Sequence, residues 1–436
     1  MQPKKSYATA VAVIAVLAIR VGLVEAQEKE YQPPHYYVIS LGAAGGRATA
    51  VAASINNIGW IAGAAFQPGN STEHAELWLG VPIDLGTLGG PNSAAAWPNK
   101  NDRGKIVGIA ETAEMNPLNE AWSCALANFP TIDNHVCLGF VWRDGVMSAL
   151  LPLPGGFDSY AAANNNLGQI AGWAENGVHD STCNSPQVLQ FKAVVWEPSL
   201  GQMTELPPLS PDPDSAATAI NDKGQVVGIS GLCSNAVGGA SARHAVLWEN
   251  GKPIDLGNFD GGVAWNTPTA INSRTQVVGF ANLPNTPNGL FNPVAFLWTE
   301  GHGIQQLRPL GQDTNNWAWG INERGHVVGQ SLTSQRAFLY QDGVMTDLNS
   351  LIQPGSSLDL LLANDINDDD EIVGFALDTS TGATVAFLAV PVVGENDVDA
   401  RTSVRTGDSS RNIAGRRTIG PLPAFARFAV AAAGGR

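Results

Sequence analysis

The sequence predicts an all-β protein: a seven-bladed β-propeller of four-stranded blades, with its ring closed by a strand from the N-terminus. Three observations predict it. A nine-residue pattern, typified by Ile220-Asn221-Asp222-Lys223-Gly224-Gln225-Val226-Val227-Gly228, recurs seven times, closing on Gly63, Gly108, Gly172, Gly228, Gly279, Gly329 and Gly374. A second element such as Ala245-Val246-Leu247-Trp248 follows each copy. The array also begins and ends out of phase, with a spare strand at its start. Repeats of this length decide architecture ahead of any local propensity.

Within a unit, the Asn seven residues before the closing Gly (Asn56, Asn101, Asn165, Asn221, Asn272, Asn322, Asn367) opens a tight turn. Asn221-Asp222-Lys223-Gly224 fits a type I turn, and the Asn side chain can bond its own backbone two residues on. Copies five and seven carry Thr275 and Asp370 where Gly is expected, which predicts looser turns or turns of another type there. The strand after the turn is β-branched. A third strand follows, as in Ala295-Phe296-Leu297-Trp298, then a turn such as Glu249-Asn250-Gly251 and an outer strand such as Pro253 to Gly257. An alanine-rich strand, for example Ser215 to Ala219, leads into the next Asn. Small side chains suit an inner strand, where blades crowd the axis.

Residues 36–42 match the outer strand of a unit, while the array ends on Ala386 to Val390, a third strand. The last unit therefore lacks its outer strand and the N-terminus supplies one, so Tyr36 to Gly42 should pair with Ala386 to Val390. Closure of this kind hides sheet edges. An open β-solenoid is the alternative, and it leaves the spare strand unexplained.

Loop lengths place the variable surface. From each third-strand aromatic to the next closing Gly the spacing is 30, 30, 32, 31, 31 and 34 residues. From closing Gly to the next third strand it is 11, 30, 20, 16, 15, 7 and 11. Variation thus concentrates in the connection between second and third strands, all on one face, and loops on a rigid scaffold are where function usually sits. The longest, 109–138, 173–192, 229–244 and 280–294, belong to blades two to five. Trp122, Trp173, His135, His179 and Arg243 are the candidate ligand-binding residues. The two tryptophans could stack on sugar rings or apolar ligands, or simply pack the loops.

The motifs Ala-Phe-Leu-Trp, Asp84 to Gly90 (Asp-Leu-Gly-Thr-Leu-Gly-Gly), Ala-Ile-Asn and Gln-Val-Val-Gly resemble those of the HAF-repeat family of bacterial extracellular proteins. His74 and His244 precede their Ala as in that family, and the resemblance covers residues 36 to about 391. It implies a repeat fold and no particular chemistry.

Composition bounds the rest. Charged residues are 14% of the chain and the net charge is −15, which disfavours nucleic acid and anionic membranes as partners. Lys4 and Lys5, the apolar run Ala8 to Ile19 and Val24-Glu25-Ala26 before Gln27 read as a signal peptide over 1–26, too short an apolar run for a membrane span. Residues 27–35 read as a linker, 36–391 as the propeller and 392–436 as a disordered basic tail. The expected product is a secreted or periplasmic monomer with no transmembrane segment in the mature chain. Four cysteines in an exported chain suggest two disulfides; of three pairings, Cys124–Cys137 and Cys183–Cys233 are preferred over a zinc site, for which Cys-x-x-Cys spacing is lacking.

No Gly-x-Ser-x-Gly elbow, His-Glu-x-x-His or P-loop occurs, so no catalytic residue is assigned. No cofactor is expected beyond a low-ranking calcium option in Asp368-Asp369-Asp370-Glu371, with Asp212 and Asp214 weaker still. His74 and His244 share a repeat position, which suits packing better than catalysis. The leading functional expectation is a non-enzymatic binding module that takes a glycan or small molecule on the loop face. The alternative is a hydrolase or lyase with its site over the central channel.

Overall fold

The computed structural model describes residues 35–392, apart from 45–48, 121–123, 125–128, 132, 235–241, 260–265, 285 and 287–291. The expected signal peptide, nearly all of the linker and tail, and Trp122 lie outside the described residues. The described strands form seven four-stranded antiparallel sheets, six of them running in chain order from inner to outer strand. The seventh takes Leu358–Ile366, Ile372–Asp378 and Ala383–Pro391 from the end of the array and Tyr36–Ser40 from its start. Tyr36 pairs with Pro391, Val38 with Ala389 and Ser40 with Phe387, as the phase of the repeats requires. The fold is therefore a seven-bladed propeller closed by its N-terminal strand.

The Asn turn is the device that joins blades. Each Asn Oδ1 accepts backbone N–H groups two and four residues on, for example from Lys223 and Gln225 to Asn221. Each Nδ2 donates to the carbonyl of the next blade's Asn, from Asn56 to Asn101, Asn101 to Asn165, Asn165 to Asn221, Asn221 to Asn272, Asn272 to Asn322 and Asn322 to Asn367. Asn367 donates to Asn56 and completes a seven-membered amide ring. All seven side chains are buried. The sequence reading found the first half of this role and not the second.

The turns of copies five and seven do not differ in type. Thr275 and Asp370 adopt φ of 61° and 60°, against 74° at Gly224, and all three make the same bond back to their Asn. Hydrogen bonds to the Asn carbonyl and side chain on both sides of the position hold these residues left-handed despite their Cβ. Asp370 is held further by Arg324 and His326.

The remaining repeat residues also bind neighbours. The third-strand Trp indoles donate across the blade boundary, Trp248 to Pro207, Trp196 to Leu151 and Trp78 to Gly42. An inner-strand Ser accepts from the preceding blade's third strand, as Ala193 N–H to Ser215. In six blades the inner strand slips register opposite the closing Gly, as between Ala217 and Ala219 opposite Gly228. A carbonyl of the inner strand lies against the closing Gly in all seven blades.

The amide ring makes a one-atom test available. Asn221→Asp keeps the acceptor and replaces the donor by an oxygen facing the Asn272 carbonyl and Gln225 Oε1. The expected cost is about 3 kcal/mol at neutral pH, since one oxygen of a buried carboxylate is left without a donor and set against two other oxygens. The new carboxyl's folded pKa would stand above its unfolded value, so the variant should recover stability in acid and lose it as pH rises through the folded pKa. Thermal melts from pH 4 to 8 that track wild type throughout would refute the ring's contribution.

Candidate functional site

The second strands of blades two and three, Ile106–Met115 and Ile170–His179, each have ten residues, against six in Ile61–Phe66, Val226–Gly231 and Val277–Asn282. Their hairpins therefore extend four residues further onto the loop face and form a wall there. Much of what was expected to be loop in 109–138 and 173–192 is thus strand. Met115, Val178 and His179 are exposed at its upper end.

Two disulfides fix the wall. Cys124–Cys137 closes within blade two, and Cys183–Cys233 joins blade three to blade four. The pairing agrees with the sequence expectation. Glu111, Cys124 and Cys137 approach one another closely, but both sulfurs are spent in the disulfide. No zinc ligand set remains there.

The candidate residues are not brought to one point. Trp173 is 1% exposed and stacks on Tyr160 with ring centroids 4.2 Å apart, inside the cluster that holds Cys124, Cys137 and Cys233. It is core, and the expectation that it could stack on a ligand is corrected. His135 is half-buried beside Asp133. His179 and Arg243 are exposed, on blades three and four. His74 and His244 bond to Asp84 and Asp255 of their own outer strands, as Arg336 does to Asp347. The Asp255 bond raises the His244 pKa. This is the structural role their repeat position suggested.

Beneath the wall lies a group that sequence reasoning missed: the buried carboxyls of Glu111, Glu120, Asp158 and Glu175. Burial, followed by the Glu120 charge, pushes Glu175 up to about 7, and burial followed by Glu175 raises Asp158. Glu111 rises to about 7 through burial, and Asp214, in blade four, to about 8 through burial and then Asp180. A signal existed. Only copies two and three carry Glu three residues after the closing Gly.

The axis itself is packed. Trp97 of blade two and Trp319 of blade six lie 5.5 Å apart. These blades are not neighbours, so the contact spans the channel. Trp317 and Phe280 extend the cluster. On the opposite face the Asn turns surround a cavity of about 60 Å³ lined by Lys100, Asp222, Glu323 and Asp368 among others. Lys100 reaches across its floor to the buried Asp365 at 2.6 Å. The oxygens considered for calcium there accept protein donors: Asp368 from Glu323 N–H, Asp370 from Asn322, Glu371 from Asn367. Asp212 accepts from Ser230.

No protein family matches the chain, and no curated protein matches it. Similar solved structures include a Pyrococcus horikoshii acylaminoacyl peptidase (10% identity, 84% of this chain, TM-score 0.45), of whose length the chain spans 55%. A Staphylococcus aureus virginiamycin B lyase (10%, 82% of this chain and all of that one, 0.46) and a Vibrio parahaemolyticus oligogalacturonate lyase (9%, 83% and 98%, 0.42) are others. At these values the likeness carries no chemistry. No helix among the described residues is long and apolar enough to cross a membrane.

Proposed function

We propose that this is an exported, non-enzymatic binding module of the HAF-repeat kind, holding a glycan or small molecule on the loop face against the wall of blades two and three. The observation that carries the reading is the wall: two hairpins extended in adjacent blades and pinned by both disulfides of the chain. A pre-ordered surface loses little entropy on binding. Export fits two disulfides. The hydrolase or lyase alternative, with a site over the channel, has less in its favour, because Trp97 and Trp319 fill the axis.

The test is binding to a panel of cell-wall glycans and polysaccharides, with turnover of ester, lactone and glycoside substrates measured alongside. His179→Ala with Arg243→Ala should weaken binding at least about tenfold, roughly 1.4 kcal/mol. The melting temperature should stay within a few degrees, as for surface changes generally. Unchanged affinity in the double variant would refute the loop-face site, and sustained wild-type turnover would move the protein to the enzyme class.

A further inference from the structure

We infer that Asp180 and Asp214 form a one-proton latch, which holds the end of the blade-three hairpin to blade four and opens when the proton leaves. Asp214 begins the inner strand of blade four, Asp214–Ile220, and is fully buried. Asp180 follows directly on the second strand of blade three, Ile170–His179. The two side chains lie within hydrogen-bonding reach of each other. One oxygen of each is already taken. Asp180 Oδ1 accepts the Thr182 N–H at 2.7 Å, and Asp214 Oδ1 accepts the Phe191 N–H at 2.9 Å. The Oδ2 of each is buried and meets no N–H or hydroxyl donor. The neighbouring cation does not supply one, because the Lys192 ammonium is bonded to the Pro213 carbonyl. Two bare carboxylate oxygens cannot bond each other, whereas one proton between them satisfies both.

A carboxyl that donates to a carboxylate makes a short, charge-assisted bond, and the alternative is two like charges buried side by side. The environments divide the roles. Burial, then the Asp180 bond, pushes Asp214 up to about 8. Asp180 is held low: burial acts upward, but the Asp214 bond and the Thr182 N–H outweigh it. Asp214 is therefore the donor and Asp180 the acceptor. Lys192 faces both carboxyls, and Glu205 faces Lys192. Asp214, with its folded pKa above the unfolded one, contributes stability that is full in acid and lost as pH rises through about 8. Asp180 has the opposite sign and loses its contribution as pH falls through its depressed pKa. The latch is thus closed in neutral solution and opens on the alkaline side. What it closes is a seam. Asp180 N–H bonds the Val188 carbonyl, and within that turn Thr182 accepts the Cys233 and Ser234 N–H groups of blade four. Once the proton leaves, repulsion parts residues 180–188 from blade four, with the Cys183–Cys233 disulfide as the remaining tether. The inference does not rest on the binding reading above, and either can fail alone.

The experiment uses the full, oxidised chain. Hydrogen exchange of peptides spanning 181–188 is followed at about pH 6 and about pH 9, corrected for the intrinsic pH dependence of exchange. Protection should fall at least about tenfold between the two in wild type. Asp214→Asn puts a permanent N–H donor in place of the proton, so its protection should persist at both. Should that variant fail to fold, Asp180→Asn supplies the donor from the other side and should behave alike. An infrared difference between wild type and the Asn variant at the lower pH should show one protonated carboxyl. Equal protection at both pH values in wild type would overturn the inference, as would the absence of that carboxyl band. A pH effect of wild-type size in the Asn variant would overturn it too, and would assign the effect to Glu111, Asp158 or Glu175.

Discussion

Deleting residues 36–42 is expected to convert the soluble chain into aggregates. The strand they form makes the whole outer rung of blade seven, paired residue for residue with Phe387 to Pro391. Tyr36 is fully buried among Leu348, Leu351, Leu360 and Phe387. Its N–H and carbonyl are bonded to Leu351 and Gln353. Further on, Gly42 accepts the Trp78 indole and Ala44 N–H bonds Glu76, so the same segment ties blade seven to blade one. Tyr36→Ala alone should cost about 3–5 kcal/mol, the range for losing a large buried aromatic. The deletion adds several lost hydrogen bonds at about 1 kcal/mol each. It also bares the five residues Phe387 to Pro391 of the Ala383–Pro391 strand, an edge open to pairing with other chains. Size-exclusion chromatography and a thermal melt decide the matter. A monomeric deletion melting with wild type would show that the amide ring closes the propeller without the strand.

The blade count, strand order and closure were legible because each is written seven times or by phase, and the disulfide pairing because the four cysteines fall in the long loops of three consecutive blades. The amide ring was half legible. An Asn opening a turn is a local signal, but its Nδ2 reaches a carbonyl 45 to 64 residues on, or 311 for Asn367 to Asn56. That reach depends on how blades stack. Trp173 was misplaced for a different reason. It follows Gly172 directly, at the position held by Ile109, Ile229, Phe280 and Phe375, all buried. Reading it by repeat position, instead of by loop length, puts it in the core. Glu120 had no repeat to betray it. It sits in a segment that differs between blades, and nothing in its neighbours says that it accepts the Val188 and Leu189 N–H groups of the next blade.

The closing glycines give the second large effect. A Cβ at Gly228 would stand 2.0 Å from the Ala216 carbonyl oxygen, and 1.9 to 2.2 Å from the matching carbonyl in the other six copies. The obstacle is inner-strand backbone, held by its own ladder and by the adjacent blade, so no side-chain rotation relieves it. Overpacking usually costs 1–3 kcal/mol, and the upper end or more, about 3 kcal/mol, is expected for Gly228→Ala. Gly251 provides the contrast. It is left-handed at φ 73° with nothing within 4 Å of an added Cβ. Gly251→Ala therefore pays only for its dihedral, about 1 kcal/mol. The two variants separate close approach from backbone conformation as the reason a repeat keeps Gly. Denaturant midpoints should fall clearly further for Gly228→Ala than for Gly251→Ala. Equal losses would mean that the inner strand can retreat from the closing Gly, and that the bulge seen in six blades is not a rigid element of the fold.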